Sequence, residues 1–328
     1  MHERLKALAH AEGFPIAGAI DVNDEIVQGA LAEHWRKYSA WIDQGSAGSM
    51  HYLVRGRDFR EDPRRLFPAT RGMLCVGLPY PNAVFSENPQ APRYARYLRG
   101  DDYHRGMKAK LERLAERVAA EVHANTGETP TWKVCVDTSA VLERAWAAMA
   151  GLGWIGKNSM LIHPKHGSYF FIGEILLSVP VGRGPEPLPD YCGHCTRCLD
   201  GCPTAAFREP RYLESRRCIS YATLEERGEW RELPLDTSKL GRWVAGCDIC
   251  QEVCPFNRKS TLPAQADPRL PEDWAALAAE TDAQYAERVK GSALSRVKPA
   301  QFKRNLAMAS VNFAGADPVD GDGDSLGV

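Results

Sequence analysis

Residues 192–206 read CGHCTRCLDGCPTAA, and residues 247–257 read CDICQEVCPFN. The first stretch spaces Cys192, Cys195 and Cys198 by three and closes on Cys202-Pro203. The second holds Cys247, Cys250 and Cys254 and also closes on Cys-Pro, with Cys218 alone between the two. A four-iron cubane takes four thiolates, so these eight cysteines suit two [4Fe–4S] clusters. In two-cluster ferredoxins the fourth cysteine of a run ligates the other cluster, which explains why the second run is one ligand short. The spacing therefore predicts cluster one on Cys192, Cys195, Cys198 and Cys254. Cluster two falls on Cys202, Cys218, Cys247 and Cys250. A chain so equipped moves electrons one at a time and at low potential.

Other uses of cysteine fit less well. Disulfides need an oxidising compartment. The opening residues MHERLKALAHAEGFPIAGAI have no long apolar core and no small-residue cleavage site. Structural zinc prefers two separated pairs of ligands. Cys75 and Cys135 lie in the apolar stretches MLCVGLPY and WKVCVD and are expected in core strands. The chain has 328 residues, 44% of them hydrophobic, and a formal net charge of −1. No apolar run approaches the roughly 18 residues needed to cross a bilayer. The expectation is a cytoplasmic monomer without membrane contact, large enough for two or three domains.

Working outward from the cysteines, residues 1–185 read as an α/β domain. Met73–Leu78, Trp132–Val136 and Tyr169–Val179 suit buried strands. Between His104 and Asn125, Met107, Leu111, Leu114, Val118 and Val122 form one apolar helix face. A second helix is expected from Thr138 or Ser139 to Gly151. The Pro/Gly-rich stretch GRGPEPLPD (182–190) marks a boundary. Residues 186–265 form the ferredoxin-like cluster module. Residues 266–316 turn helical at Trp274–Ala279 and Pro299–Asn312. Residues 317–328, with four aspartates, read as a disordered acidic tail.

Gly151-Leu-Gly153-Trp-Ile-Gly156-Lys157-Asn158 imitates both a dinucleotide loop and a phosphate loop. Both motifs need a strand before the glycines and a helix after them. Here a helix comes first and strand-like sequence follows, so the plain reading is a helix C-cap and a tight turn. Another reading brings this turn against some other large cofactor.

Several strings in order resemble epoxyqueuosine reductases, cobalamin-dependent iron–sulfur enzymes of tRNA queuosine synthesis. They are Val136-Asp137-Thr138, then Val141-Leu142-Glu143-Arg144, the glycine string to Asn158, both cysteine runs, and CISYATLE around Cys218. Asp102-Tyr103-His104 and Arg304-Asn305 match as well, and the likeness covers roughly residues 45–312. The resemblance implies an N-terminal cobalamin-binding domain of the nitroreductase and reductive-dehalogenase kind, and a short HEAT-like helical segment at 266–316. It implies base-off cobalamin, reduction of epoxyqueuosine to queuosine at the tRNA wobble position, and a low-potential electron donor. No Asp-x-His-x-x-Gly string supplies an axial histidine, and the family is similar to reductive dehalogenases in lacking one.

Removing an epoxide oxygen takes two electrons and a proton source. Asp137, between a strand and a helix, is expected to be the proton donor, a role the resemblance also assigns. An acid at neutral pH needs a pKa raised by burial; the plain alternative is a helix cap. Arg57, Tyr97, Lys157, Asn158 and Ser220 lie in the family-like strings and are candidate cobalamin contacts beside Asp137. Ser220 alternatively hydrogen-bonds near a cluster sulfur. Lys298, Lys303 and Arg304, within a basic stretch that holds one acidic residue, are candidate tRNA phosphate contacts; the alternative is a solvated helix face. His104, His163 and His166 lack ligand-spaced partners and are expected in loops or the substrate pocket. Two other functions remain: a reductive-dehalogenase-like corrinoid reductase with another substrate, or a ferredoxin-type electron carrier. The second leaves the first 185 residues unexplained.

Overall fold

A computed structural model describes residues 1–83, 86, 88–182, 184–259 and 261–314. The acidic tail expected at 317–328 lies outside the described residues. Four strands make the main sheet: β1 (Ile16–Asp21), β2 (Gly72–Pro79), β3 (Trp132–Cys135) and β4 (Phe170–Leu177). Their order is β1-β2-β4-β3 and every pair is antiparallel. The sheet is thus not the parallel βαβ layer that an α/β alternation suggests. Its two central strands are apolar at nearly every position because both faces are covered.

One face packs on α1 (His2–Ala11) and the long α3 (Tyr103–Thr126), and the other on α2 (Glu25–Asp43) and α4 (Glu143–Met149). The expected stripe of α3 is buried, from Met107 to Val122. The helix starts at Asp102, whose carboxylate accepts the His104 N–H at 3.1 Å, and stops at left-handed Gly127. Burying a stripe of this kind stabilises by roughly 2 kcal/mol per large side chain.

The helix expected from Thr138 begins only at Glu143. Residues 137–142 form turns instead, held by side chains that the sequence pattern does not expose. The glycine string is a turn, as expected: Gly151 is left-handed at φ +80° after α4. Trp154–Ile155 then pairs antiparallel with Leu161–Ile162.

Beyond residue 190 the chain is short helices and loops around the cysteines. Helix α5 (Ile219–Leu224) follows Cys218 directly, and α6 (Pro299–Ala314) closes the described chain. The strand Trp243–Ala245 pairs in parallel with Arg93–Tyr94, tying the cysteine-rich part to a loop of the first part. Gly246 is left-handed, and a side chain there would collide with Ala95. Helix α6 buries Phe302, Leu306 and Ala309, with Tyr285 and Val297, against Val244 and Ala245. No helix among the described residues is long and apolar enough to cross a membrane.

Candidate active site and metal centres

All ten cysteines are free thiols. Those of the cluster runs fall into two groups by their electrostatic neighbours. Cys198 is pushed up to about 11 by burial and by Cys192, Cys254 and Cys195. Cys254 is raised by burial and by Cys192 and Cys195. Cys250 is raised by burial and by Cys247, Cys218 and Cys202. Cys218 is raised by burial and by Cys202. The fold therefore gathers Cys254 with the first run, and Cys202 with Cys218, Cys247 and Cys250. Among the described residues no three His, Cys, Asp or Glu converge to hold a single metal ion.

The cysteine loops are clamped from both sides. Lys157 Nζ donates to Gly193 O at 2.7 Å and Cys195 O at 2.9 Å. Buried Asn158 donates to Cys250 O at 3.1 Å. Trp154 Nε1 donates to Cys192 Sγ at 3.4 Å, and its ring meets exposed Tyr191 edge-on at 5.1 Å. Arg96 reaches Glu252 at 2.7 Å and, by its backbone, buried Asp248 at 2.7 Å. The backbone N–H groups of Ser220 and Tyr221 turn toward Cys218 Sγ.

A second constellation lies where β3 ends. Asp137 Oδ2 pairs with His104 Nε2 at 2.9 Å and with Arg296 at 3.5 Å. The other ring nitrogen of His104, Nδ1, meets Asp102 Oδ1 at 2.6 Å. The imidazole stacks on Tyr103 at 4.1 Å, and Tyr103 stacks on Phe171 at 3.9 Å. Tyr97 meets Tyr103 edge-on at 6.3 Å. The phenol of Tyr52 is pushed up to about 12 by burial and by Glu225 and Asp137. These groups cluster around Asp137, 42% of whose side chain is exposed, and the open space beside it is the candidate cleft.

The electrostatics correct one expectation. Burial would lift the Asp137 carboxyl, but the His104 hydrogen bond and the charges of His104 and Arg296 outweigh it and hold it low. Hydrogen bonding to Asp137, opposed by burial and helped by Asp102, raises His104 above its ordinary value. Of the two groups, these shifts favour the imidazole over Asp137 as the holder of a proton. Beneath the loop, Glu143 is pushed up to about 7, first by burial and then by Asp137. Glu174 is fully buried mid-strand between Cys75 and Cys135, and burial raises its carboxyl.

Other candidate residues are engaged elsewhere. Arg57 grips Asp43 at 2.7 and 3.0 Å on the outer face of α2, so it is spent on an ion pair. Lys157 and Asn158 brace the cysteine loops, as above. Tyr97 and Ser220 border the cleft and the second cysteine group. Lys303 pairs with Asp282. Arg304 faces inward: it donates to Ala222 O and Glu226 O at 2.9 Å each and lies over Trp230 at 4.5 Å. Beside it Asn305 is fully buried, bonded to Thr223 O and Val244 O. Lys298 and Lys303 are both exposed, and of these two Lys303 is engaged by Asp282. His104, expected in a loop or the substrate pocket, stands in the first turn of α3 beside Asp137, and Arg296, not singled out as a site residue, joins it there. The signal for His104 is its place at an N-cap motif, Asp-x-His; the signal for Arg296 is only its membership of the basic stretch.

Comparison with known proteins gives the same picture. A family model described as epoxyqueuosine reductase QueG, DUF1730, matches residues 60–138, and one described as a 4Fe-4S double cluster binding domain matches residues 191–257. The chain is 38% identical over 317 residues to an epoxyqueuosine reductase of Synechococcus sp. CC9605, covering 94% of each. The structure of epoxyqueuosine reductase from Streptococcus thermophilus superposes with TM-score 0.79 at 27% identity, covering 94% of this chain and 80% of that one. An epoxyqueuosine reductase with a tRNA-Tyr epoxyqueuosine-modified stem loop superposes with TM-score 0.76 at 27% identity, covering 96% and 82%. With a double-cluster domain and a site at the end of β3, this chain belongs to the epoxyqueuosine reductase family.

Proposed function

We propose that this chain reduces epoxyqueuosine to queuosine in tRNA, with electrons passed through two [4Fe–4S] clusters to a corrinoid in the Asp137 cleft. The observation that carries the reading is the juxtaposition of two cysteine quartets with an Asp102–His104–Asp137 proton relay. The cysteines fit the clusters: four thiols each, in the two groups that the fold gathers. Cluster two adjoins the cleft. Cys218 leads into α5, and Glu225 just beyond that helix acts on Asp137. Cluster one would lie beside Tyr191, the exposed residue that precedes Cys192.

The cleft fits a corrinoid held by its periphery. His104 has both ring nitrogens engaged, by Asp102 and Asp137, so this imidazole would not serve as a metal ligand. Tyr97 and Ser220 would meet the ring edge, while Arg57, Lys157 and Asn158 serve the scaffold. When bound, the corrinoid supplies a strongly reducing cobalt centre; that chemistry is the cofactor's own.

The chain's part is protons and placement. Opening the epoxide and forming the alkene consumes two electrons and two protons and releases water. His104, protonated between two carboxylates, would first pass its proton to Asp137 Oδ2; the carboxylic acid so formed would then give that proton to the departing oxygen, and the second proton, which completes water, would come from solvent. Arg296 keeps the carboxylate aimed. Of the basic residues proposed for tRNA, Lys298 is placed to meet phosphate, and Arg304 instead secures α6.

The division into residues 1–185, 186–265 and 266–316, with the last as a HEAT-like segment, belongs to the same proposal. The test is conversion. Reduced, iron- and cobalamin-loaded protein should turn an epoxyqueuosine stem loop into a product lighter by one oxygen, and Asp137→Asn should not. Equal conversion without corrinoid would refute the reading.

A further inference from the structure

Asp137 holds its place in a strained turn. The Thr138 N–H donates across it to Val136 O at 2.5 Å, and Asp137 itself is left-handed at φ +47°. A γ-turn of this hand is rare, and such strain persists only where surroundings over-determine it. His104 and Arg296 hold the Asp137 side chain. Its backbone is held by one group: Glu143 Oε1 accepts the Asp137 N–H at 2.6 Å. Glu143 is the first residue of α4 and is half-buried. It lies within electrostatic reach of Glu174, whose two carboxyl oxygens are buried without a hydrogen-bond partner.

We propose that Glu143 is the latch of the Asp137 loop, a positioning residue whose carboxylate fixes the left-handed turn and so aims Asp137 at His104 and the cleft. The charged groups facing Glu143 are Asp137 on the loop, Arg144 on its own helix, Arg60 from the Arg57–Glu61 helix and Glu174 on β4. Burial and the Asp137 carboxylate oppose its ionisation, while the Asp137 backbone N–H, Arg144 and Arg60 favour it. An ionised acceptor bonds an N–H more strongly than a neutral one. The latch therefore slackens as pH falls through about 7. The idea builds on the proposed role of Asp137, but the latch can be read without turnover.

The test compares Glu143→Ala and Glu143→Gln in the full cluster-loaded chain, with iron content as the folding control. Amide hydrogen exchange over residues 137–140 should quicken roughly tenfold to a hundredfold in Glu143→Ala, the value of a hydrogen bond to a charged group. It should stay near wild type in Glu143→Gln, which keeps an acceptor oxygen. In turnover, Glu143→Ala should lose kcat with KM for the stem loop little changed. Glu143→Gln should keep most activity and lose the acid-side fall near pH 7. Wild-type exchange in Glu143→Ala, or an acid limb that survives in Glu143→Gln, would overturn the latch. Faster exchange with unchanged turnover would uphold the latch and instead remove Asp137 from the chemistry.

Discussion

Replacing His104 by alanine removes the proton store of the cleft. The ring makes two charged hydrogen bonds, to Asp102 at 2.6 Å and to Asp137 at 2.9 Å, and only 18% of it is exposed. A positioned acid contributes about a hundredfold to ten-thousandfold to rate, so His104→Ala should lower kcat by that order. The pH dependence follows from the raised His104 value. In the wild type, kcat should fall as pH rises through that value, because the imidazole then surrenders its proton. The variant should be flat there. Stability carries the same sign. The ion pair contributes fully below the unfolded imidazole pKa of about 6.5 and is lost as pH climbs through the folded one. Asp137 is 42% exposed, so its share is screened; the Asp102 contact dominates, at about 1–2 kcal/mol. The assay is pre-steady-state conversion of an epoxyqueuosine stem loop by pre-reduced protein across this pH range. Turnover within threefold of wild type, or an unchanged alkaline limb, would refute the relay.

Cys254→Ser should abolish the signal of cluster one, although Cys254 lies in the second run, and Cys202→Ser should abolish that of cluster two. Electron paramagnetic resonance of the reduced proteins reads both, and loss of the opposite cluster would break the swap. Trp154→Phe removes the hydrogen bond to Cys192 Sγ and should lower the potential of cluster one in a redox titration, since such bonds tune cluster potential. Arg304→Ala should destabilise by about 2–3 kcal/mol by stranding carbonyls and uncovering Trp230, with the salt dependence of tRNA binding unchanged. Lys298→Ala should do the reverse, reducing the salt slope by about one without changing the melting temperature.

The double-cluster module at 191–257 was legible because ligand spacing is local and the ferredoxin pattern has a fixed logic. The apolar faces of α3 and the central strands were legible for the same reason: their periodicity is written over one continuous stretch. The antiparallel pairing was not, since fully buried strands read alike in either direction. The late start of α4 was hidden too, because Glu143 reaches back six residues to the Asp137 N–H and overrides the cap signals at Thr138 and Ser139. The site itself joins residues 102, 104, 137 and 296, and no short motif spans that distance. Lys157 and Arg304 were misplaced for a related reason. A cation in a family-like string can serve a ligand or a carbonyl, and only the fold shows that both serve carbonyls.

The most direct measurement is electron stoichiometry in a single turnover. Cluster- and cobalamin-loaded protein is reduced, freed of reductant and mixed with an epoxyqueuosine stem loop, while cluster absorbance and product are followed together. The account predicts that two electrons leave the protein for each queuosine formed, with cluster oxidation keeping pace with product. Product that accumulates while both clusters remain reduced would contradict it.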